Sequence, residues 1–215
     1  DIKVPKVLWE EPSIDVLGVP FFVMEQVEGR VPPDIPPYVF GGWLFDATPE
    51  SQLQLQELCV GIIAQLHQLK QKSPDTDFLE FRSQGDTALK RHFNNQKEYY
   101  RWVVQNSRQH PVIEQAFDWL ELHWPDESET VVSWGDSRIG NIMFDNKSLE
   151  PVAVLDWEMA GLAPVEVDLG WMIFMHKFFQ VIAEALEFPG MPKFMTSMDV
   201  TAKFTELTGT VPKNI

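Results

Sequence analysis

The sequence predicts an α+β fold whose sheet pieces are kept apart rather than joined in an alternating parallel sheet. Three observations carry this expectation. Residues 1–30 hold short apolar runs interrupted by Pro5, Pro12, Gly18 and Pro20. From Pro49 the apolar residues recur with helical period through successive segments. Residues 129–160 return to short apolar runs, after which 165–188 is helical again.

Each element has its own local reason. "KVLWEE" and "VPFFVMEQVEG" read as two strands of a hairpin ending near Gly29. "RVPPDIPPYVFGG" (30–42) holds four prolines and two glycines and reads as a linker. Leu53, Leu55, Leu58, Ile62, Ile63, Leu66 and Leu69 then mark a helix, with Thr48 as N-cap and Pro49 at the first helical position. The pattern predicts that this helix runs to about Lys72 and that Pro74 closes it. Residues 86–105 and 111–123 read as two more helices, with Trp102, Val103, Phe117, Trp119, Leu120 and Leu122 as their apolar faces. "TVVSW", "NIMF" and "PVAVLDW" read as strands, and "DNKSLE" between the last two is turn chemistry. A shorter helix near 198–208 ends at Gly209.

The totals exclude some functions. With 215 residues, 44% of them hydrophobic and 12% aromatic, the chain can bury a sizeable core. Its net charge is −15, which argues against nucleic acid and anionic membrane surfaces as partners. The one cysteine, Cys59, cannot form an internal disulfide and reads as a small core residue. Neither a membrane-spanning run nor a signal peptide is legible. A cytoplasmic protein is expected, and the sequence leaves the oligomeric state open. The chain opens on Asp1 as if in mid-domain, so residues are expected before it.

The chemistry concentrates in "VVSWGDSRIGNIMF" (131–144) and "PVAVLDWEMAG" (151–161). A hairpin of "NIMF" and "PVAVLD" sets Asn141 at the start of one strand opposite Asp156 at the end of its partner. Both can offer oxygen to one hard cation, and Mg²⁺ commonly takes one or two protein side chains plus substrate phosphates. Asp136 faces the same place, where an acid can orient a hydroxyl and accept its proton during phosphate transfer. The spacing Asp136, four residues, Asn141 matches the kinase catalytic loop H-R-D-x-x-x-x-N, and Asp156-Trp157-Glu158 stands where D-F-G would follow. Arg138 either meets a phosphate or carboxylate of the substrate or braces nearby acids. Glu158 either adds a contact to metal or substrate or is a solvated strand-end acid. His67 reads as a satisfied core or packing histidine rather than a catalytic one. His92, His110, His123 and His176 share no metal-ligand spacing, so no zinc site is expected.

These motifs resemble the aminoglycoside phosphotransferase family of kinase-like enzymes, whose loop reads H-G-D-x-x-x-x-N and whose metal strand often reads I-D-W-E. "PKVLWEEPSIDVLGVPFFVMEQVEG", "IIAQLHQLK" and "EVDLGWMI" extend the likeness over most of the chain. "GDSRIGN" with "IEQAFDWLELHWP" looks closest to members associated with acyl-CoA dehydrogenases, thought to phosphorylate hydroxyacyl-CoA compounds. The resemblance implies a protein-kinase-like fold. Residues 1–29 would be the last strands and hinge of an N-terminal lobe, and 30–215 the C-terminal catalytic and substrate-binding lobe. It implies an ATP- and Mg-dependent phosphotransferase acting on a hydroxyl of a small molecule. Asp136 would be the base, and Asn141 and Asp156 the metal ligands. Backbone groups of Glu25 and Val27 would pair with the adenine edge, with Met24 lining its pocket. Asp168 would brace the loop by accepting backbone N–H bonds. Apart from the resemblance, most of the eight tryptophans and fifteen phenylalanines read as core, and some of those in 93–124 and 171–195 are expected to line the acceptor pocket. Two departures stand out. Trp134 replaces the family's usual His, and the phosphate-gripping lysine, its helix glutamate and the glycine-rich loop are expected before residue 1. A non-catalytic kinase-like module that binds a nucleotide or a partner is the competing expectation.

Overall fold

The strands form three separate two-stranded antiparallel sheets in a computed structural model that describes residues 2–69 and 76–215. β1 (Val7–Glu11) pairs with β2 (Phe21–Met24), as the alternating runs predict. α1 (Pro49–Leu66) follows the proline-rich linker. Thr48 caps it, accepting from Ser51 N at 3.3 Å, and Pro49 occupies the first turn, where its missing N–H costs nothing. The helix ends at Leu66, short of the expected end, because the chain turns there with Leu69 N bonded to Leu66 O at 3.0 Å. Lys72 and Pro74 lie outside the described residues.

α2 (Ala88–Val104) and α3 (Pro111–Leu122) come next, and their packing differs from expectation. Trp102 is 63% exposed, Trp119 57% and Leu122 81%. The two helices meet instead through Phe93, whose ring lies 5.5 Å from Phe117 and 5.4 Å from Trp124. Lys97 lays its ammonium over Phe93 at 5.3 Å. Helical period identifies a helix but not the partner, and here the partner takes the Phe93 face.

β3 (Thr130–Ser133), β4 (Ile142–Phe144), β5 (Pro151–Val154) and β6 (Gly161–Pro164) follow. β4 and β5 form the expected hairpin. β6 is an addition: "GLAP" pairs antiparallel with β3 from Ser133↔Gly161 to Thr130↔Pro164. α4 (Val165–Ala185) and α5 (Ser197–Thr208) complete the fold, and Gly209 closes α5 in the left-handed conformation.

The core lies where α1, α4 and α5 enclose the β3–β6 region. Leu55, Cys59, Ile63, Trp134, Ile142, Phe144, Leu169 and Phe204 are all buried there. Each such Leu, Ile or Phe contributes about 1.5–3 kcal/mol on leaving water. The β1–β2 hairpin contributes little of this, since Val7, Leu8, Trp9 and Phe22 stay exposed. A lone hairpin is marginal in water. This one is tied to the lobe on both sides: Lys3 O accepts from Val154 N at 2.8 Å, and Arg30 exchanges two 2.8 Å backbone bonds with Phe144. Gly29 makes the second crossing possible, because a Cβ there would lie 2.6 Å from Met143 Cγ and 2.8 Å from Phe144 O. Among the described residues no helix is long and apolar enough to cross a membrane.

One core group predicts a pH response. His176 is buried on α4, with Nδ1 2.9 Å from Tyr38 Oη and Nε2 3.1 Å from Met191 O. Burial lowers its pKa from 6.5 to about 4. The unfolded chain therefore takes up this proton near pH 6.5, while the folded one refuses it until about pH 4. Stability is full above that window and is lost as pH falls through it. Each pKa unit is worth about 1.4 kcal/mol, so the loss approaches about 3 kcal/mol. Urea midpoints measured from pH 7 to 4 should fall in the parent and fall less in His176→Gln. Parallel curves for the two proteins would refute the assignment.

Candidate active site

The loop after β3 turns on Gly135, at φ +87°, where any Cβ would run into the Met159 carbonyl. Asp136 follows, then one 3₁₀ turn (Ile139–Asn141) leads directly into β4. A single carboxylate holds this loop. Asp168, in the first turn of α4 and fully buried, accepts from Ser133 Oγ at 2.8 Å, Trp134 N at 3.0 Å and Gly135 N at 2.9 Å. His67 Nε2 lies 3.0 Å from Oδ2, the oxygen that Trp134 N also reaches, and Ser137 Oγ donates to the Asp168 backbone carbonyl at 2.7 Å. His67 is thus more than packing: it ties α1 to the residue that fixes the loop.

Asp136 is itself held by three donors. Trp171 Nε1 donates to Oδ1 at 2.6 Å, while Arg138 Nε at 2.9 Å and Asn141 Nδ2 at 2.7 Å both reach Oδ2. Arg138 also pairs with Asp34 in the linker. Of the two roles open to Arg138, the structure shows the brace. Burial works against its charge, but the hydrogen bonds to Asp136 and Asp34 outweigh this and raise its pKa. Asp34 was not among the expected site residues, and Trp171 was expected only as one of the aromatics of 171–195, not as a partner of Asp136. Trp171 had a usable signal, since it lies three positions after Asp168 on the same helix and so shares its face. Asp34 had none.

Asn141 and Asp156 sit at the same end of the β4–β5 hairpin. Leu155 N donates to Asn141 O at 2.9 Å, one residue before Asp156. Asp156 adopts φ +55°. Its pKa is held above the usual carboxylate range, first by partial burial and then by the charges of Glu158 and Asp136. No hydrogen bond to its carboxylate occurs among the described residues. Asn141 commits its Nδ2 to Asp136, leaving Oδ1 as the group able to face a cation. An acid raised by burial and by two neighbouring acids, at the same hairpin end as a carboxamide whose oxygen makes no hydrogen bond among the described residues, fits a hard divalent ion that completes its shell with phosphate and water.

Met24, Glu25 and Val27, the residues expected to meet adenine, make no hydrogen bond to this group among the described residues. Met24 ends β2 opposite Val7 and is 50% exposed. Glu25 N donates to Lys6 O at 2.8 Å, which leaves its carbonyl available, and Val27 is half-buried. The segment reaches the site indirectly, through the Arg30–Phe144 crossing onto the strand that Asn141 begins.

A hairpin bearing an acid and a carboxamide, a braced acidic loop and a helical lobe together define a protein-kinase-like phosphotransferase fold. Residues 1–190 match the profile of the phosphotransferase enzyme family, APH. The chain belongs to that family. It is 27% identical over 170 residues to acyl-CoA dehydrogenase family member 10 of Mus musculus, covering 79% of this chain and 15% of that protein. The chain therefore spans under a fifth of that relative's length. A crystal structure of a candidate aminoglycoside phosphotransferase from Ralstonia eutropha superposes with a TM-score of 0.70 at 22% identity, covering all of this chain and 63% of that one. The aminoglycoside phosphotransferase APH(3'')-Id from Streptomyces rimosus, in complex with ADP and streptomycin, gives 0.51 at 20% identity, covering 99% of this chain and 71% of that one. At these identities the structural likenesses establish the fold.

Proposed function

We propose that this chain is the catalytic lobe of an ATP- and Mg-dependent phosphotransferase acting on a hydroxyl of a small molecule. Residues 1–29 serve as the last N-lobe strands and hinge, and 30–215 as the catalytic and substrate lobe. The observation that carries the reading is the clamped carboxylate of Asp136. Its Oδ2 is saturated by two donors, and its Oδ1 keeps a lone pair beside the single bond from Trp171. Asp136 Oδ1 accepts the hydrogen bond of the acceptor hydroxyl and then its proton, as the acceptor oxygen bonds to the γ-phosphorus and the β–γ bridging bond breaks to release ADP. Holding the base in place supplies most of the gain, because phosphoryl transfer depends chiefly on positioning and charge neutralisation. Asn141 Oδ1 and the Asp156 carboxylate hold the metal, which when bound neutralises phosphate charge. The Glu25 carbonyl and Val27 backbone groups take the adenine edge, with Met24 beside it.

The acceptor is either aminoglycoside-like or a hydroxyacyl compound. An aromatic row favours one with an apolar part: Trp171, Phe174 and Phe178 run along α4 from Asp136, with ring centroids 5.5 and 6.1 Å apart. Phe174 is 52% exposed and Phe178 47%. The acyl-CoA dehydrogenase family relative points the same way. ATP consumption screened across amino sugars, hydroxy acids and hydroxyacyl-CoA compounds tests the reading, with Asp136→Asn as control. Turnover should appear with one class and vanish in the control. ADP binding without turnover on any acceptor would favour a non-catalytic module instead.

A further inference from the structure

Trp134 has no part in the proposed transfer, yet its side chain reaches from the loop of Asp136 to the backbone of Asp156. It is fully buried. Its indole N–H points at two carbonyls at once, Leu155 O at 2.9 Å and Asp156 O at 3.1 Å. These oxygens flank a residue in an unfavourable conformation, because an L-residue at φ +55° crowds its Cβ against the following carbonyl. Strand pairing does not hold it there. The last pair of the ladder is Ile142↔Val154, and one further bond, Leu155 N to Asn141 O, precedes Asp156. The indole is fixed from behind. Asp168 anchors the Trp134 backbone N at 3.0 Å, and Trp157 packs 5.7 Å from its ring while donating its own N–H to Val154 O at 3.0 Å.

We infer that Trp134 is the positioning residue of the cation site: its indole N–H pins the carbonyls of Leu155 and Asp156 and so aims the Asp156 carboxylate toward Asn141. The inference rests on the reading of Asn141 and Asp156 as metal ligands. It assigns a physical role to the residue that departs from the family's usual His. A side chain that merely filled the core would need the ring and not the N–H. Phenylalanine keeps an aromatic ring and loses the donor.

The test is Mn²⁺ binding to the full chain in the presence of ADP, read by the loss of free-ion signal in electron paramagnetic resonance. Partners that orient a metal ligand typically change affinity by about 10–100-fold, so Trp134→Phe should weaken Mn²⁺ binding by about that factor. ADP affinity without metal should stay at the parent's value, and Trp134→His, which restores a ring N–H, should recover part of the loss. If the Phe variant does not fold, 3-benzothienylalanine at 134 preserves the indole shape and removes the donor alone. Parental Mn²⁺ affinity in a donor-less variant, while Asp156→Asn has lost it, overturns the role of Trp134 and leaves the metal ligands standing. A parent chain that binds no Mn²⁺ with ADP overturns the ligand assignment, and the inference with it.

Discussion

Turnover is expected to fall by about 10²–10⁴-fold when Asp136 is replaced by Asn, the range for losing a positioned general base. The substitution preserves volume, so the effect is chemical. An amide offers one acceptor oxygen in place of two. Arg138 Nε and Asn141 Nδ2 both donate at Oδ2, and they hold the amide oxygen on their side. The new NH₂ then faces Trp171 Nε1–H, which sits 2.6 Å from Oδ1 in the parent. Two donors meet, no lone pair remains for the acceptor proton, and stability drops by about 1–3 kcal/mol for the unpaired donors. The KM for ATP should stay close to the parent's, because this carboxylate is assigned to the acceptor and not the nucleotide. Adding Trp171→Phe to the Asn variant removes the opposing donor and should return part of the melting temperature without returning turnover. Recovery of both together would mean that Asp136 acts only through the fold. So would a single variant that turns over at the parental rate.

What could be read from the text, and what could not, separates by range along the chain. Asp136 and Asn141 are five positions apart on one loop, and their 2.7 Å contact follows from that spacing. The β4–β5 hairpin was legible because its turn, "DNKSLE", lies within it. β6 was not. "GLAP" is four residues bounded by Gly and Pro, and its strand character comes from β3, some thirty positions earlier. The exposed faces of α2 and α3 failed for a related reason: Phe93 pairs with Phe117 and Trp124 through space, and period alone cannot rank competing apolar faces. The ion pair between Arg138 and Asp34 spans 104 positions and has no local sign at either end. Local spacing therefore accounts for the contacts of Asp136 with Arg138 and Asn141, while those of Trp171 with Asp136 and of Asp34 with Arg138 depend on the tertiary fold.

The same distinction singles out Asp168 as the position where one substitution should do most damage to the fold. Its carboxylate gathers three elements: the end of β3 through Ser133, the loop through the N–H groups of Trp134 and Gly135, and α1 through His67. All of this is buried, with Asp168 and Trp134 at 0% exposure, so no water replaces the lost acceptor. Asp168→Ala leaves two backbone N–H groups and a hydroxyl unpaired, and removing one member of such a buried polar cluster costs about 3–5 kcal/mol. That is a large share of the roughly 5–15 kcal/mol that holds a domain together. The urea midpoint should fall steeply, and soluble yield with it. Asp168→Asn should cost less, since one acceptor oxygen remains and keeps one of the two backbone bonds, Gly135 N at Oδ1 or Trp134 N at Oδ2. In a double-mutant cycle with His67→Ala the losses should be strongly non-additive, because both residues serve one cluster. An Asp168→Ala protein that unfolds at the parental urea concentration would show that the loop stands without its brace. The placement of Asp136 would then have to come from Arg138, Asn141 and Trp171.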